Sequence, residues 1–270
     1  MLIAQISDTH ITRPGTRLMG AVDTAGALER AVAALNRLEP APDLAVLTGD
    51  LVESGEPEEY EHLRKLLAPL RMPLFVIPGN HDAREPMREA FIGDGYLPRQ
   101  GFFNYAIDDY PLRIVALDTL VPGAGGGALS AEQLRWVADV LAAAPDRPSV
   151  VMMHHPPFAT GIRRMDLAGL GDSAAFAEII RGQPQVERIL CGHLHRPIET
   201  RFAGTVAGTA PSTAHQIVLD LRPEARLSFA FEPPGYQLHY WREGAGLVTH
   251  TAPIGDWPGP YRYSRHVATS

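Results

Sequence analysis

Three short apolar runs near the start of the chain, Leu2 to Ile6, Leu44 to Leu47 and Leu74 to Ile77, are separated by segments with helical periodicity. Strand, helix, strand order of this kind implies parallel pairing with right-handed crossovers, because each strand is followed by a helix that must return over the sheet. Thr24 is placed to cap a helix in which Leu28, Ala31, Val32, Leu35 and Leu38 share one face. Pro57 suits a helix first turn, and Glu58 and Glu59 after it favour the positive end of the dipole.

Further on, Phe103 to Ile107, Arg113 to Leu117, Val150 to Met153 and Val186 to Leu190 read as strands, and Ala174 to Ile180 as a helix. Ser130-Ala131-Glu132-Gln133 is a capping box, with Leu129 as its staple, that opens a helix to about Ala143. Gly123 to Gly127 reads as a mobile loop. After Arg196 the helical signal vanishes. Ile217 to Leu221, Leu227 to Phe231, Gln237 to Trp241 and Leu247 to Thr251 are short strand candidates, so the last quarter reads as antiparallel, with an aromatic tail that includes Trp257, Tyr261 and Tyr263.

With 270 residues the chain buries a core large enough to need no structural metal or disulfide. Its 24 Lys plus Arg against 31 Asp plus Glu give a net charge of -7, which disfavours polynucleotides and anionic membranes as partners. One cysteine, Cys191, and an N-terminus without a signal pattern point to the cytoplasm. No apolar run reaches the ~18 residues of a membrane span.

Five apolar strands end in metal-ligand residue types: Asp8-Thr9-His10, Gly49-Asp50, Gly79-Asn80-His81-Asp82, His154-His155 and Gly192-His193-Leu194-His195. The carboxyl ends of parallel strands form the ligand crevice of an open α/β sheet, so these segments can converge. Imidazole and carboxylate donors suit divalent first-row metals, whereas a structural zinc site wants thiolates. In an extended segment, Asp-x-His and His-x-His each present both residues to one side. Asp50 is the natural bridge, since a carboxylate can serve two ions. Two ions about 3.5 to 4 Å apart clamp the attacking and leaving oxygens of a phosphoryl displacement, which points to phosphate ester hydrolysis.

In this order the five segments resemble the calcineurin-like metallophosphoesterase superfamily. Gly55-x-Pro57-Glu58-Glu59-Tyr60, Ile77-Pro78-Gly79, Met153-His154-His155-Pro156-Pro157, Cys191-Gly192-His193 and His215-Gln216 further resemble the class III cyclic nucleotide phosphodiesterases, and the bacterial glycerophosphodiesterase branch over nearly the whole chain. The resemblance implies a four-layer α/β/β/α sandwich, with residues 1–196 as catalytic core and residues 197–270 as C-terminal strands, cap and oligomerisation region completing the same domain. It implies Asp8, His10 and His195 as ligands of one metal, Asn80, His154 and His193 as ligands of a second, and Asp50 as bridge. His81 is then expected to face the phosphate and assist the leaving oxygen, with Asp82 as its partner, and His215 to touch substrate. The implied reaction is attack of a metal-bound hydroxide on a small phosphodiester, with iron, manganese, cobalt or zinc as the pair of metals. A homo-oligomer built through the C-terminal region is expected. Neutral Asn80 implies a weakly held second metal, and Leu194 departs from relatives that carry a polar residue there. A phosphomonoesterase or nucleotide pyrophosphatase shares every ligand, and a non-catalytic scaffold on this fold remains as the alternative from another class.

Simpler expectations attach to other residues. His155 is expected to pack behind His154, Cys191 to be a buried small hydrophobe, and Arg84, Glu85, Arg88 and Glu89 to form a solvated helix face. His62, His239, His250 and His266 are expected at the surface or an interface.

Overall fold

The computed structural model describes residues 1–171 and 173–262; Tyr263 and His266 lie outside the described residues. The first strands and helices follow the apolar pattern: β1 (Leu2–Ile6), α1 (Thr24–Asn36), β2 (Leu44–Thr48), α2 (Pro57–Leu67), β3 (Leu74–Ile77) and α3 (Arg84–Phe91). Asp23 caps α1, its carboxylate accepting from the Gly26 N–H at 3.0 Å. Thr24, expected as the cap, is instead the first helical residue and buried, because the longer Asp23 side chain reaches the orphan N–H groups. Next come β4 (Tyr105–Ile107), β5 (Arg113–Ala116), α4 (Ala131–Ala142), β6 (Ser149–Met152), α5 (Arg163–Asp166), α6 (Ser173–Arg181) and β7 (Val186–Cys191). Ser130 and Gln133 form the capping box of α4.

The remaining elements are all strands: β8 (Ile198–Phe202), β9 (Thr205–Thr209), β10 (Gln216–Ile217), β11 (Phe229–Ala230), β12 (Gly235–Arg242) and β13 (Gly246–Pro253). The sequence pattern does not announce β8 and β9. Their pairing partners supply the signal that the pattern lacks, since β9 runs parallel to β7 and β8 antiparallel to β9. The expected strand from Ile217 to Leu221 shrinks to the two residues of β10, paired with β11. Leu219 and Leu221 are exposed.

Two large sheets result, ordered β13-β12-β1-β2-β3 and β4-β5-β6-β7-β9-β8, beside the two-stranded β10-β11. Strand alternation splits the second sheet between two cores. Ile114, Ala116, Val150, Met152 and Leu190 pack with the first sheet and its helices α1 to α3, while Val115, Val151 and Ile189 pack with α4 and α6. The layers are therefore helices, sheet, sheet, helices. Burial on both faces explains why β1 and β2 are continuous apolar runs.

A polar chain ties the sheets together beneath their carboxyl ends. The Gln5 amide donates to Thr48 Oγ1 and to the Cys191 carbonyl, both at 2.9 Å, and the Thr48 hydroxyl donates to Ser7 Oγ at 2.8 Å. His239 joins it through Gln5 Oε1 at 2.9 Å and Thr249 Oγ1 at 2.8 Å. His239 is thus fully buried, contrary to the surface expectation, because β12 pairs with β1 and turns this side chain inward. His250 is exposed and His62 half-buried.

On α3, Glu85 and Glu89 are exposed as expected, but the two arginines depart from expectation. Arg84 grips buried Asp118 with two hydrogen bonds, at 2.7 and 2.9 Å, and Arg88 is buried against Phe103, donating to the Pro98 and Gly101 carbonyls. Loop carbonyls and Asp118 engage the guanidinium groups, which is how two arginines turn inward, although Arg88 Nε keeps no hydrogen-bond partner. Among the described residues, no helix is long and apolar enough to cross a membrane.

Candidate metal centre

The loops that leave β1 and β2 run side by side: the N–H groups of Asp8, His10 and Ile11 donate to the carbonyls of Gly49, Asp50 and Leu51 at 3.0 to 3.1 Å. This ladder brings Asp8, His10 and Asp50 to one point. The segments are not extended, as the side-by-side alternation had suggested. Asp8, His10, Asp50, His193 and His195 all have left-handed φ, between 44° and 72°. Each such non-glycine conformation costs roughly 1 to 3 kcal/mol, a strain that the surrounding packing must hold.

Two glycines permit the close approach. A Cβ at Gly49, whose φ is 92°, would stand 2.3 Å from His154 Nδ1, and one at Gly79 would stand 2.2 Å from Asp50 Oδ1. The Gly-Asp and Gly-Asn pairs of the sequence are thus steric requirements of the site.

The structure brings together the side chains of all seven expected ligands. Asp8, His10, Asp50 and His195 form one buried group. His154 and His193 form another with Asn80, whose Oδ1 lies 3.2 Å from His154 Nε2 and 3.0 Å from His193 Nδ1. Asp50 Oδ2 stands between the groups, 3.6 Å from His10 Nε2 and 3.3 Å from His154 Nε2. Its Oδ1 accepts from the His81 N–H at 2.9 Å.

The imidazoles are held from outside. His10 Nδ1 donates to Glu53 at 2.8 Å, His154 Nδ1 to the Thr48 carbonyl at 2.8 Å and His195 Nδ1 to the His215 carbonyl at 3.1 Å. With Nδ1 committed outward, Nε2 is the nitrogen that each ring turns inward. His155 offers a ring nitrogen within 4.8 Å of those of His154 and His193, but both its nitrogens are engaged, Nδ1 with Thr119 Oγ1 at 2.8 Å and Nε2 with the Gly125 carbonyl at 3.2 Å.

These residues fit a divalent cation on three counts. Asp8 Oδ2 and His193 Nε2 are buried without a hydrogen-bond partner. Nε2 of His10 and Nε2 of His195 face each other at 3.1 Å, an arrangement that needs a shared proton or cation between the lone pairs. Burial also pushes the Asp8 carboxyl up to about 6, against the pull of His154 and His10. An adjacent cation reverses that preference. Asp50 differs. Burial opposes its ionisation too, but His154, His10 and His81 outweigh it and hold the carboxyl well below its ordinary range. His154 responds in kind, pushed up to about 9 by Asp50 although burial disfavours its charge. Burial keeps His195 neutral and takes His193 down to about 3.

Around this centre lies a cavity of about 620 Å³. His81 lines it with Nδ1 tied to the Glu53 carbonyl at 2.9 Å, which leaves Nε2 to meet a ligand. His215 lines it too, its ring 4.7 Å from that of His195, and burial with nearby His10 lowers it to about 4. Asp82, expected beside the His81 ring, is turned away. It accepts from the N–H groups of Leu51 and Gly79 and from the Tyr60 hydroxyl at 2.8 to 3.1 Å, so it braces the loops. Glu53 takes the place expected of Asp82, reaching both His10 and His81. Its only sequence signal is its position three residues after Asp50. Leu194 is buried against Ile162, Met165 and Ile217.

A family of calcineurin-like phosphoesterases matches this chain over residues 1–197. A protein of Arcobacter nitrofigilis named a probable glycerophosphodiester phosphodiesterase is 38% identical over 97% of each chain. A 3',5'-cyclic adenosine monophosphate phosphodiesterase of Pseudomonas aeruginosa is 35% identical, over 80% of this chain and 77% of that one. The crystal structure of a dimetal phosphatase from Danio rerio shares the fold at a TM-score of 0.65 and 15% identity, covering 94% of this chain and 99% of that one. The chain belongs to the calcineurin-like phosphoesterase family.

Proposed function

We propose that this chain is a dinuclear metal-dependent phosphodiesterase that hydrolyses small phosphodiesters of the glycerophosphodiester or cyclic nucleotide type. The observation that carries the reading is Asp50 Oδ2, lying between His10 Nε2 and His154 Nε2 and so shared by two groups of donors. The names of the relatives support the diester class.

Asp8, His10 and His195 would hold one ion, Asn80, His154 and His193 the other, and Asp50 would be shared by both. Bound there, a pair of divalent ions supplies Lewis-acid charge to the phosphoryl oxygens and an acidified water. Asn80 brings no charge, so its ion is the weaker bound, and iron, manganese, cobalt and zinc all suit these nitrogen and oxygen donors. His81 Nε2 binds a phosphate oxygen and gives a proton to the leaving alcohol. His215 contacts the substrate. Leu18, Met165, Ile217 and Phe229 line the cavity and exclude water around the alcohol groups. The chain works in the cytoplasm as a homo-oligomer through its C-terminal region, where Leu219, Leu221, Leu227 and Phe231 are exposed.

The test is hydrolysis of bis(p-nitrophenyl) phosphate beside p-nitrophenyl phosphate, on protein stripped by chelator and refilled with Mn²⁺, Zn²⁺ or Co²⁺. Diester cleavage restored by metal and faster than monoester cleavage is the expected result. Faster monoester cleavage makes the protein a phosphomonoesterase, and no cleavage with any metal makes it a scaffold.

A further inference from the structure

The cavity around the metal centre carries one feature that phosphodiester hydrolysis by itself does not call for. Among the described residues that line it, Arg164 is the only lysine or arginine. It stands on α5, on a wall otherwise formed by Met165, Ala168, Ile217, Leu227 and Phe229. Arg164 and Leu227 also line a shallow crevice that continues from this wall, where Arg163 and Arg226 join them. The one acid among the described residues of the crevice, Asp220, is engaged by Arg222 through Nε at 2.9 and 3.1 Å. A chain of net charge -7 therefore gathers uncompensated positive charge at the edge of its site.

The reacting phosphate of a diester carries a single negative charge, and the metal donors meet it from the opposite elements. A guanidinium on the apolar wall serves a different group. Its planar fork matches a phosphate or carboxylate oxygen pair, and its exposure leaves the fork free to meet one. Resting on the phosphodiesterase reading above, we propose that Arg164, backed by Arg163 and Arg226, is a specificity subsite for a second anionic group on one alcohol of the substrate. The preferred substrates are then diesters that carry a further phosphate or carboxylate, in preference to those with neutral or cationic alcohols.

The experiment compares thymidine 5'-(4-nitrophenyl phosphate) with its 3'-phosphorylated counterpart, which share reacting phosphate and leaving group. The expected kcat/KM ratio favours the 3'-phosphorylated ester by about tenfold or more, the scale of a charge-assisted hydrogen-bond pair. Arg164→Gln brings that ratio toward one. Arg201→Gln removes the same charge from an exposed position outside both the cavity and the crevice and leaves the ratio within about twofold, which separates direct recognition from the long-range field. Calorimetric titration with thymidine 3',5'-bisphosphate and thymidine 5'-monophosphate reads the same preference without turnover, and Arg164→Gln abolishes it. A wild-type ratio at or below one, or a ratio unmoved by Arg164→Gln, overturns the subsite. Retained binding preference without hydrolysis of either ester overturns the phosphodiesterase reading and leaves the subsite standing.

Discussion

Nε2 of His10 lies 3.1 Å from Nε2 of His195, 185 residues further along the chain. Each ring commits its Nδ1 proton outward, His10 to Glu53 and His195 to the His215 carbonyl, so two lone pairs converge. Metal is therefore expected to stabilise the fold itself. At a free concentration 100 times Kd the gain is about 2.7 kcal/mol for one site. Thermal unfolding of chelator-stripped protein with and without Mn²⁺ reads this directly, and His10→Ala should remove most of the upward shift. Equal melting temperatures in both conditions argue against a cation between these rings.

Glu53 holds the far side of His10 and also stands 3.4 Å from His81 Nδ1. Groups that orient a ligand in this way typically contribute 10- to 100-fold in metal affinity or activity. Glu53→Ala is expected to lose about that much in both, with Glu53→Gln retaining part of it. Unchanged metal titration and turnover in Glu53→Ala would remove this carboxylate from the site.

Asp50 is shared between the two groups of donors, so Asp50→Ala should reduce bound metal to at most one ion per chain. Elemental analysis after gel filtration measures it. Two tightly held ions in that variant would falsify the bridging role.

His81 contributes a ring nitrogen to the cavity while its backbone N–H holds Asp50. Replacing the ring by alanine keeps the backbone bond, so His81→Ala should retain its metals and lose roughly 10² to 10⁴ in turnover, the range for a lost acid or base. Normal turnover of an ester with a poor leaving group excludes the role.

Outside the candidate metal centre, burial and nearby Arg188 lower His239 to about 3 from its ordinary 6.5. The unfolded chain takes up this proton near pH 6.5 and the folded chain does not until near pH 3, so stability is fully present above pH 6.5 and is lost as the pH falls through that window. Between pH 6.5 and 5 this amounts to about 2 kcal/mol. Urea unfolding at the two pH values should show a smaller loss for His239→Gln than for the parent protein. Identical losses mean that the fold does not hold this ring neutral.

The residues that converge at the candidate metal centre were legible in the sequence because residue type and place are local properties. An Asp or His directly after an apolar run lies at a strand end, whatever the strand pairs with, and five such ends in a parallel arrangement point to one crevice. The capping box at Ser130 and the first three strands were legible for the same reason.

Tertiary structure decided what depends on partners distant in sequence. Glu53 looks like an ordinary loop residue until His10 and His81 fold against it, and Arg84 and Arg88 look solvated until Asp118 and two loop carbonyls meet them. His239 becomes a buried link only because β12 lies beside β1, which places it against Gln5, 234 residues away. The left-handed turns at Asp8, His10, Asp50, His193 and His195 have no sequence signature, since these conformations are unfavourable locally and persist only where the surrounding packing holds them. Periodicity and residue type specify which face is apolar and which donors are present; the pairing of distant segments sets their distances, and with them the chemistry.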